Sequence, residues 1–124
     1  MKLHPTPAAG RNAFTGYGEG YVLVNGQRYE ASVLVLPEGP VRPWDVVRPA
    51  DLDAARMEGL AALDVEVVLL GTGVRLAFPP PAVLLPLARA RIGAEVMDTP
   101  AACRTYNILI GEGRKVAAAL ILGA

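Results

Sequence analysis

The stretch that decides the fold spans Met97–Ile121 and reads MDTPAACRTYNILIGEGRKVAAALI. Thr99 followed by Pro100 predicts the cap and the first position of a helix, because proline is favoured in the first helical turn. The Gly-Glu-Gly sequence that follows predicts the turn that ends this helix. The apolar residues 116–122 predict a central strand, since a strand covered on both faces is apolar throughout.

Upstream of this stretch, segments typical of strands alternate with segments typical of helices. Asn25-Gly26 predicts a type I′ turn in a hairpin between strands at 21–24 and 28–36, because both turn residues accept a positive φ. The remaining predicted elements are a helix at 51–63 with Asp51 as its cap, strands at 65–70 and 75–78, a helix at 82–92 and a strand at 94–97. This order predicts an α/β protein with a mixed or mainly parallel sheet and helices on its faces.

The N-terminal residues 1–16 are rich in Pro, Ala, Gly and Asn and show no hydrophobic period. We therefore predict a flexible tail at 1–16, with Phe14 as its one candidate anchor. Residues 17–124 are predicted to form a single α/β domain, because a chain of this length suits one domain.

Composition limits the classes of function. Twelve basic and twelve acidic residues are dispersed along 124 residues, which argues against a nucleic-acid partner. The chain has one cysteine, Cys103, and one histidine, His4. These counts exclude an intrachain disulfide, a cysteine-cluster zinc site and a Ser-His-Asp set with a placed histidine, so we predict no metal and no cofactor.

The hydropathy pattern bears on membrane association. No apolar run approaches the roughly 20 residues that a helix needs to span a bilayer. The first residues lack the continuous apolar region of a secretory signal. We therefore predict a cytoplasmic protein without a membrane span.

Several motifs carry a family resemblance. In chain order they are GTG at 71–73, MDT at 97–99, ACRTYNIL at 102–109, EGR at 112–114 and AAALI at 117–121. Together they resemble a small conserved-domain family of unknown biochemical activity. Its members include the assembly factor 3 protein of mitochondrial respiratory complex I and the adipogenesis-associated cytosolic proteins. The similarity covers residues 16–122, which is nearly all of the predicted domain.

The resemblance implies a three-layer fold. A mixed central sheet of about five strands would be flanked by helices, with an extra N-terminal β-hairpin. The family has no established catalytic residues, so the resemblance assigns none to this chain. It does imply a protein-interaction or assembly role.

Two polar residues of the last helix form the first candidate site. Arg104 and Asn107 share one narrow stripe of the helix, three positions apart. With Thr99 and the free N–H groups of the first turn, they could hold a small anion. In the structural alternative, Arg104 pairs with a carboxylate such as Asp98 or Glu112, and Asn107 ties down a loop backbone.

The loop Gly71-Thr72-Gly73 is the second candidate element of that site. Its backbone N–H groups could face a phosphate at the carboxyl edge of the sheet, although the motif lacks the Gly-Lys-Ser/Thr of a phosphate-binding loop. The alternative is that the glycines permit a tight turn and close packing. Cys103 likewise has two interpretations, a nucleophile near a helix N-terminus or a buried structural thiol.

Aromatic residues of the hairpin are open to two interpretations as well. Tyr17, Tyr21 and Tyr29 could form a ligand patch or pack across the strands. An apolar hairpin face left exposed would mark a protein interface.

Two hypotheses of function follow. The first is a non-enzymatic protein-interaction or assembly module that resembles complex I assembly factors and has a protein partner or forms a homo-oligomer. The second is a small-ligand or anion-binding protein, or an enzyme that acts on such a ligand. Its site would consist of Gly71, Thr72, Gly73, Thr99, Arg104 and Asn107.

Overall fold

The computed structural model describes residues 1–3 and 10–122, and its strands form one three-stranded and one five-stranded sheet. The strands are β1 (Phe14–Gly18), β2 (Tyr21–Val24), β3 (Gln27–Tyr29), β4 (Val33–Val35), β5 (Arg42–Pro43), β6 (Val67–Gly71), β7 (Gly93–Met97) and β8 (Val116–Leu120). The helices are α1 (Ala54–Ala61), α2 (Leu85–Arg89) and α3 (Thr99–Gly111), with short 3-10 turns at Pro49–Asp51 and Pro81–Leu84.

The five-stranded sheet is mixed, with strand order β5-β4-β8-β6-β7. β6 runs parallel to both β7 and β8, whereas β4 is antiparallel to β8. β8 lies at the centre and is buried along its whole length, as its apolar sequence predicts. The predicted mixed α/β architecture is therefore confirmed.

Side chains on the two faces of this sheet enter two separate cores. One core joins the sheet to α3 and to the three-stranded sheet of β1, β2 and β3. The other joins it to α1 and α2. The sheet is thus the middle of three layers, which confirms the arrangement implied by the family resemblance.

The predicted strand at 28–36 is wrong as a single element. Residues 27–29 belong to β3, whereas 33–35 belong to β4 of the other sheet. The chain changes sheets at the buried Ser32, whose hydroxyl accepts a hydrogen bond from Leu122 N (3.1 Å). That bond fixes the start of β4 beside the end of β8. The alternating pattern of the sequence continues through residues 30–32, so this pattern does not reveal that the strand is interrupted there.

The structured part of the chain begins earlier than the sequence predicts. Residues 14–16, assigned to the tail, lie in β1, and Phe14 is fully buried. The reason is tertiary contact: the Phe14 ring packs edge-to-face on Tyr106, with ring centroids 5.0 Å apart. Residues 4–9 of the predicted tail lie outside the described residues.

Three other predicted elements differ in their bounds. The first helix is capped by Asp53, not Asp51, because Asp53 Oδ1 accepts from Arg56 N (3.0 Å). The predicted helix at 82–92 divides into the 3-10 turn and the five-residue α2. Residues 75–78 are not a strand, because their backbone bonds to the Thr72 hydroxyl, which accepts from Ala77 N (3.1 Å) and donates to Arg75 O (2.7 Å).

Candidate functional site

The N-terminus of α3 is built differently from the prediction. Asp98 is the cap, since its Oδ1 accepts from Ala101 N (2.8 Å), and Thr99 is the first helical residue. The buried Thr99 hydroxyl accepts from Gly73 N and donates to Ile121 O, both at 2.9 Å. Thr99 therefore ties the loop after β6 to the end of β8 instead of capping its own helix.

The glycines of the 71–73 loop serve close packing and a turn. A Cβ at Gly71 would lie 2.8 Å from Leu120 and 2.9 Å from the Thr99 hydroxyl, closer than real contacts allow. Gly73 has a φ of 101°, a conformation that favours glycine. Both observations agree with the packing interpretation of these glycines.

Two backbone N–H groups of the same loop already donate hydrogen bonds within the protein. Thr72 N donates to Met97 O (2.9 Å), and Gly73 N donates to the Thr99 hydroxyl. A phosphate-binding loop needs such N–H groups free to face the ligand. This geometry does not favour the anion-binding alternative, which stays a prediction.

Asn107 holds the edge of the three-stranded sheet. Its Oδ1 accepts from Phe14 N (2.9 Å), and its Nδ2 donates to Phe14 O (2.8 Å). The side-chain amide thus takes the place of a neighbouring strand beside β1. These bonds agree with the structural alternative for Asn107, with the difference that the backbone belongs to a strand instead of a loop, and a ligand-binding role for Asn107 stays a prediction.

Arg104 has a different partner from the predicted carboxylate. Its Nη1 donates to the Tyr17 hydroxyl at 2.5 Å, and the guanidinium carbon lies 5.8 Å from the Tyr17 ring centroid. Within the described residues, no salt bridge joins Arg104 to Asp98 or Glu112. The predicted ion pair is therefore wrong, because β1 brings an aromatic hydroxyl to the guanidinium.

A groove of about 510 Å³ lies between the hairpin and the start of α3. Gly73 and Thr99 line it together with Tyr17 and Tyr21, so the structure brings these two candidate residues together. The other four candidate residues do not line it, although Arg104 donates to the lining residue Tyr17; they are Gly71, Thr72, Arg104 and Asn107. The Tyr21 ring is covered by Arg28 of β3, whose guanidinium carbon lies 3.8 Å from the ring centroid.

Cys103 is fully buried on the core side of α3. Burial raises the pKa of this thiol to about 12, and the positive charge of Arg104 only partly opposes the effect. The thiol is therefore protonated at neutral pH, as a structural cysteine would be and a nucleophile would not.

The described residues contain no group of three His, Cys, Asp or Glu side chains that could bind a metal ion. In the same ranges, no helix has the length and apolarity needed to cross a bilayer. The compartment in which the protein works stays a prediction.

The sequence prediction missed an exposed apolar surface. Val74, Leu76 and Phe78 are 64%, 52% and 72% exposed, and we call residues 74–78 the apolar loop. The sequence predicts a short strand at 75–78 in this segment. The flanking Gly-Thr-Gly and Pro-Pro-Pro sequences were the available signal, because both interrupt sheet pairing and leave the side chains without a core to enter.

The fold and this site define a small three-layer α/β domain whose interior polar side chains join one element to another. A family model described as a protein of unknown function (DUF498/DUF598) matches residues 14–121, and the chain belongs to that family.

The relatives include an assembly factor. The chain is 36% identical over 107 residues to NADH dehydrogenase (ubiquinone) 1 alpha subcomplex assembly factor 3 of Bos taurus. The match covers 85% of this chain and 58% of that protein, so the chain spans little more than half the length of this relative. The family resemblance inferred from the motifs is therefore confirmed.

Solved structures of Bordetella proteins share the fold. The crystal structure of a Bordetella parapertussis protein has a TM-score of 0.87 at 45% identity and covers 94% of this chain and 99% of its own. A solution structure from Bordetella pertussis, described as an Mth938-like domain, has a TM-score of 0.80 at 41% identity and covers 100% of this chain and 94% of its own.

Proposed function

We propose that this protein is a non-enzymatic interaction module that takes part in the assembly of a larger protein complex. The observation that carries the proposal is the apolar loop, in which three large apolar side chains within five residues face solvent. Exposed apolar clusters of this kind are typical of protein-interaction sites. The bovine relative, whose name describes an assembly factor, supports the same role.

The interior of the candidate site agrees with this proposal. Thr99 and Asn107 each use their side-chain polar atoms to hold backbone groups of other elements. Cys103 is buried and protonated. These groups stabilise the fold, and the proposed activity requires no reaction from them.

The apolar loop is large enough to contribute measurable affinity. Full burial of a Val, Leu or Phe side chain contributes about 1.5–3 kcal/mol. The three side chains are at least half exposed, so covering them contributes about 3–5 kcal/mol before the cost of association is subtracted. Phe78 is the most exposed of the three and is the expected anchor, because aromatic side chains dominate interface energies.

The test is affinity capture from the cells that produce the protein. A tagged chain is cross-linked in those cells, and its partners are identified and then titrated with purified protein. We expect Phe78→Ser to weaken binding of the main partner by about tenfold or more, which corresponds to the loss of roughly 1.4 kcal/mol.

The matched control is Ile108→Ser, because Ile108 is 62% exposed on α3, away from the apolar loop in sequence. This control should bind like the unmodified chain. Failure of the unmodified chain to retain any protein partner, or full retention by the Phe78→Ser variant, would contradict the proposal.

A further inference from the structure

Among the residues that the structure describes, β7 forms one edge of the five-stranded sheet and pairs with β6 alone. Gly93 N donates to Glu66 O, and Met97 O accepts from Thr72 N, both at 2.9 Å. Alternate residues of a strand direct their backbone groups to opposite sides, so those of Ala94 and Val96 point away from β6. Within the described ranges, no other segment donates to them or accepts from them.

The other edge strand of this sheet, β5, is poorly suited to pairing with an added strand. β5 has two residues, and one of them is Pro43, which has no N–H to donate. β7 has five residues and no proline, and Ala94 and Val96 are only partly covered. β7 is therefore the edge of this sheet that can accept another strand.

Glu95 determines which strand fits. Its side chain is exposed between Ala94 and Val96, and no salt bridge of the described residues includes it. In a twofold antiparallel pair that joins Ala94 of one copy to Val96 of the other, each Glu95 would lie directly opposite its equivalent. Like charges directly opposite each other destabilise a strand pair. The charge thus disfavours a second copy and favours a strand with a cation at that position.

The apolar loop begins at the carboxyl end of the same strand. The bond from Thr72 N to Met97 O places residue 72 beside the last residue of β7, and Val74 follows two positions later. That bond lies on the β6 side of β7, and Val74 lines the groove between the hairpin and α3. The apolar loop therefore starts at the end of the sheet and is not part of the open edge of β7.

We propose that β7 accepts one extended strand of a different protein, with Lys or Arg opposite Glu95. This inference rests on the proposed function and names the form of its partner. Backbone hydrogen bonds would hold the added strand on β7, and the negative charge of Glu95 would favour strands with a cation over strands with an anion at the facing position.

The first experiment measures selection by charge. Two dye-labelled peptides of alternating Val and Thr differ only in a central Lys or Glu, and their binding to the full chain is measured by fluorescence anisotropy. The chain should bind the Lys peptide about fivefold more tightly, and Glu95→Lys should reverse this preference. Glu58→Lys, the same charge change at an exposed position of α1, should leave it unchanged.

The second experiment measures self-association by sedimentation velocity. The unmodified chain should be monomeric, and Glu95→Thr should dimerise because the repulsion is removed. Adding Val96→Pro should abolish that dimer, since the proline removes an outward N–H without removing a bond to β6. If the proline variant does not fold, the peptide preference of the Glu95→Lys variant still tests whether the charge at residue 95 selects the added strand.

Three results would overturn the inference. They are equal affinity for the two peptides, a Glu95→Thr variant that stays monomeric, and an unmodified chain that dimerises through β7. A captured partner that is lost on Phe78→Ser but retained by Glu95→Lys would also refute this inference while leaving the proposed function intact. Absence of any captured partner would refute the proposed function, and the peptide preference would still be measurable.

Discussion

Replacing Thr99 with valine should destabilise the fold although valine has nearly the same shape. The threonine side chain is 5% exposed, and its hydroxyl makes two buried hydrogen bonds of 2.9 Å, to Gly73 N and Ile121 O. Valine removes both bonds and leaves a buried donor and a buried acceptor without partners. Each such group costs about 1–3 kcal/mol, and the added apolar methyl returns about 1 kcal/mol. The expected net loss in free energy of unfolding is about 2–4 kcal/mol.

The matched control is Thr99→Ser, which keeps the hydroxyl and removes only the methyl group. It should cost about 1 kcal/mol, the value of one buried methyl. Equilibrium urea unfolding, followed by fluorescence and by circular dichroism, gives both free energies if the two transitions coincide. Hydrogen exchange at the Gly73 amide should become faster in the valine variant only.

The reasoning fails if the valine variant is as stable as the serine variant or more stable. That result would mean that water or a rearranged loop satisfies Gly73 N and Ile121 O without the hydroxyl. A valine variant with normal stability and a lost anion affinity would instead support the ligand-binding alternative for the 71–73 loop.

Three further predictions concern other parts of the structure. Asn107→Ala should lower the free energy of unfolding by about 2 kcal/mol and speed hydrogen exchange at the Phe14 amide, because two hydrogen bonds to β1 are lost. The Lys115 N–H holds the pKa of Glu66 below its ordinary value of 4.5, so this carboxylate stabilises the fold above that pH and ceases to do so as pH falls through the lowered pKa. Glu66→Gln should therefore lower the thermal midpoint at neutral pH, and the difference from the unmodified chain should shrink in acid. Cys103, with a pKa of about 12, should react with a thiol reagent only as fast as the protein unfolds, as timed labelling in urea would show.

The sequence predicts the central part of the fold well because its signals there are local. The apolar run at 65–70 and the strand at 94–97 coincide with β6 and β7 to within about two residues. The proline after Thr99 places the start of α3 to within one residue. These elements are covered on both faces or punctuated by proline and glycine, so neighbouring residues are sufficient to identify them.

The elements that the sequence misses depend on distant partners. β1 contains two glycines and no regular alternation, and it becomes a strand because β2, Asn107 and residues 1–3 supply its hydrogen bonds. The role of Arg104 was missed for the same reason, since Tyr17 is 87 positions away. No pattern within a window of a few turns contains that information.

The polar side chains of α3 join this helix to other parts of the fold. Thr99 joins the helix to the ends of β6 and β8, whereas Arg104 and Asn107 join it to the three-stranded sheet. A ligand that displaced one of these hydrogen bonds would cost stability. The backbone groups of Ala94 and Val96 in β7 and the side chains of the apolar loop make no such bonds within the described residues. Binding at that edge adds contacts without breaking any, so a partner can be gained there at the lowest free-energy cost.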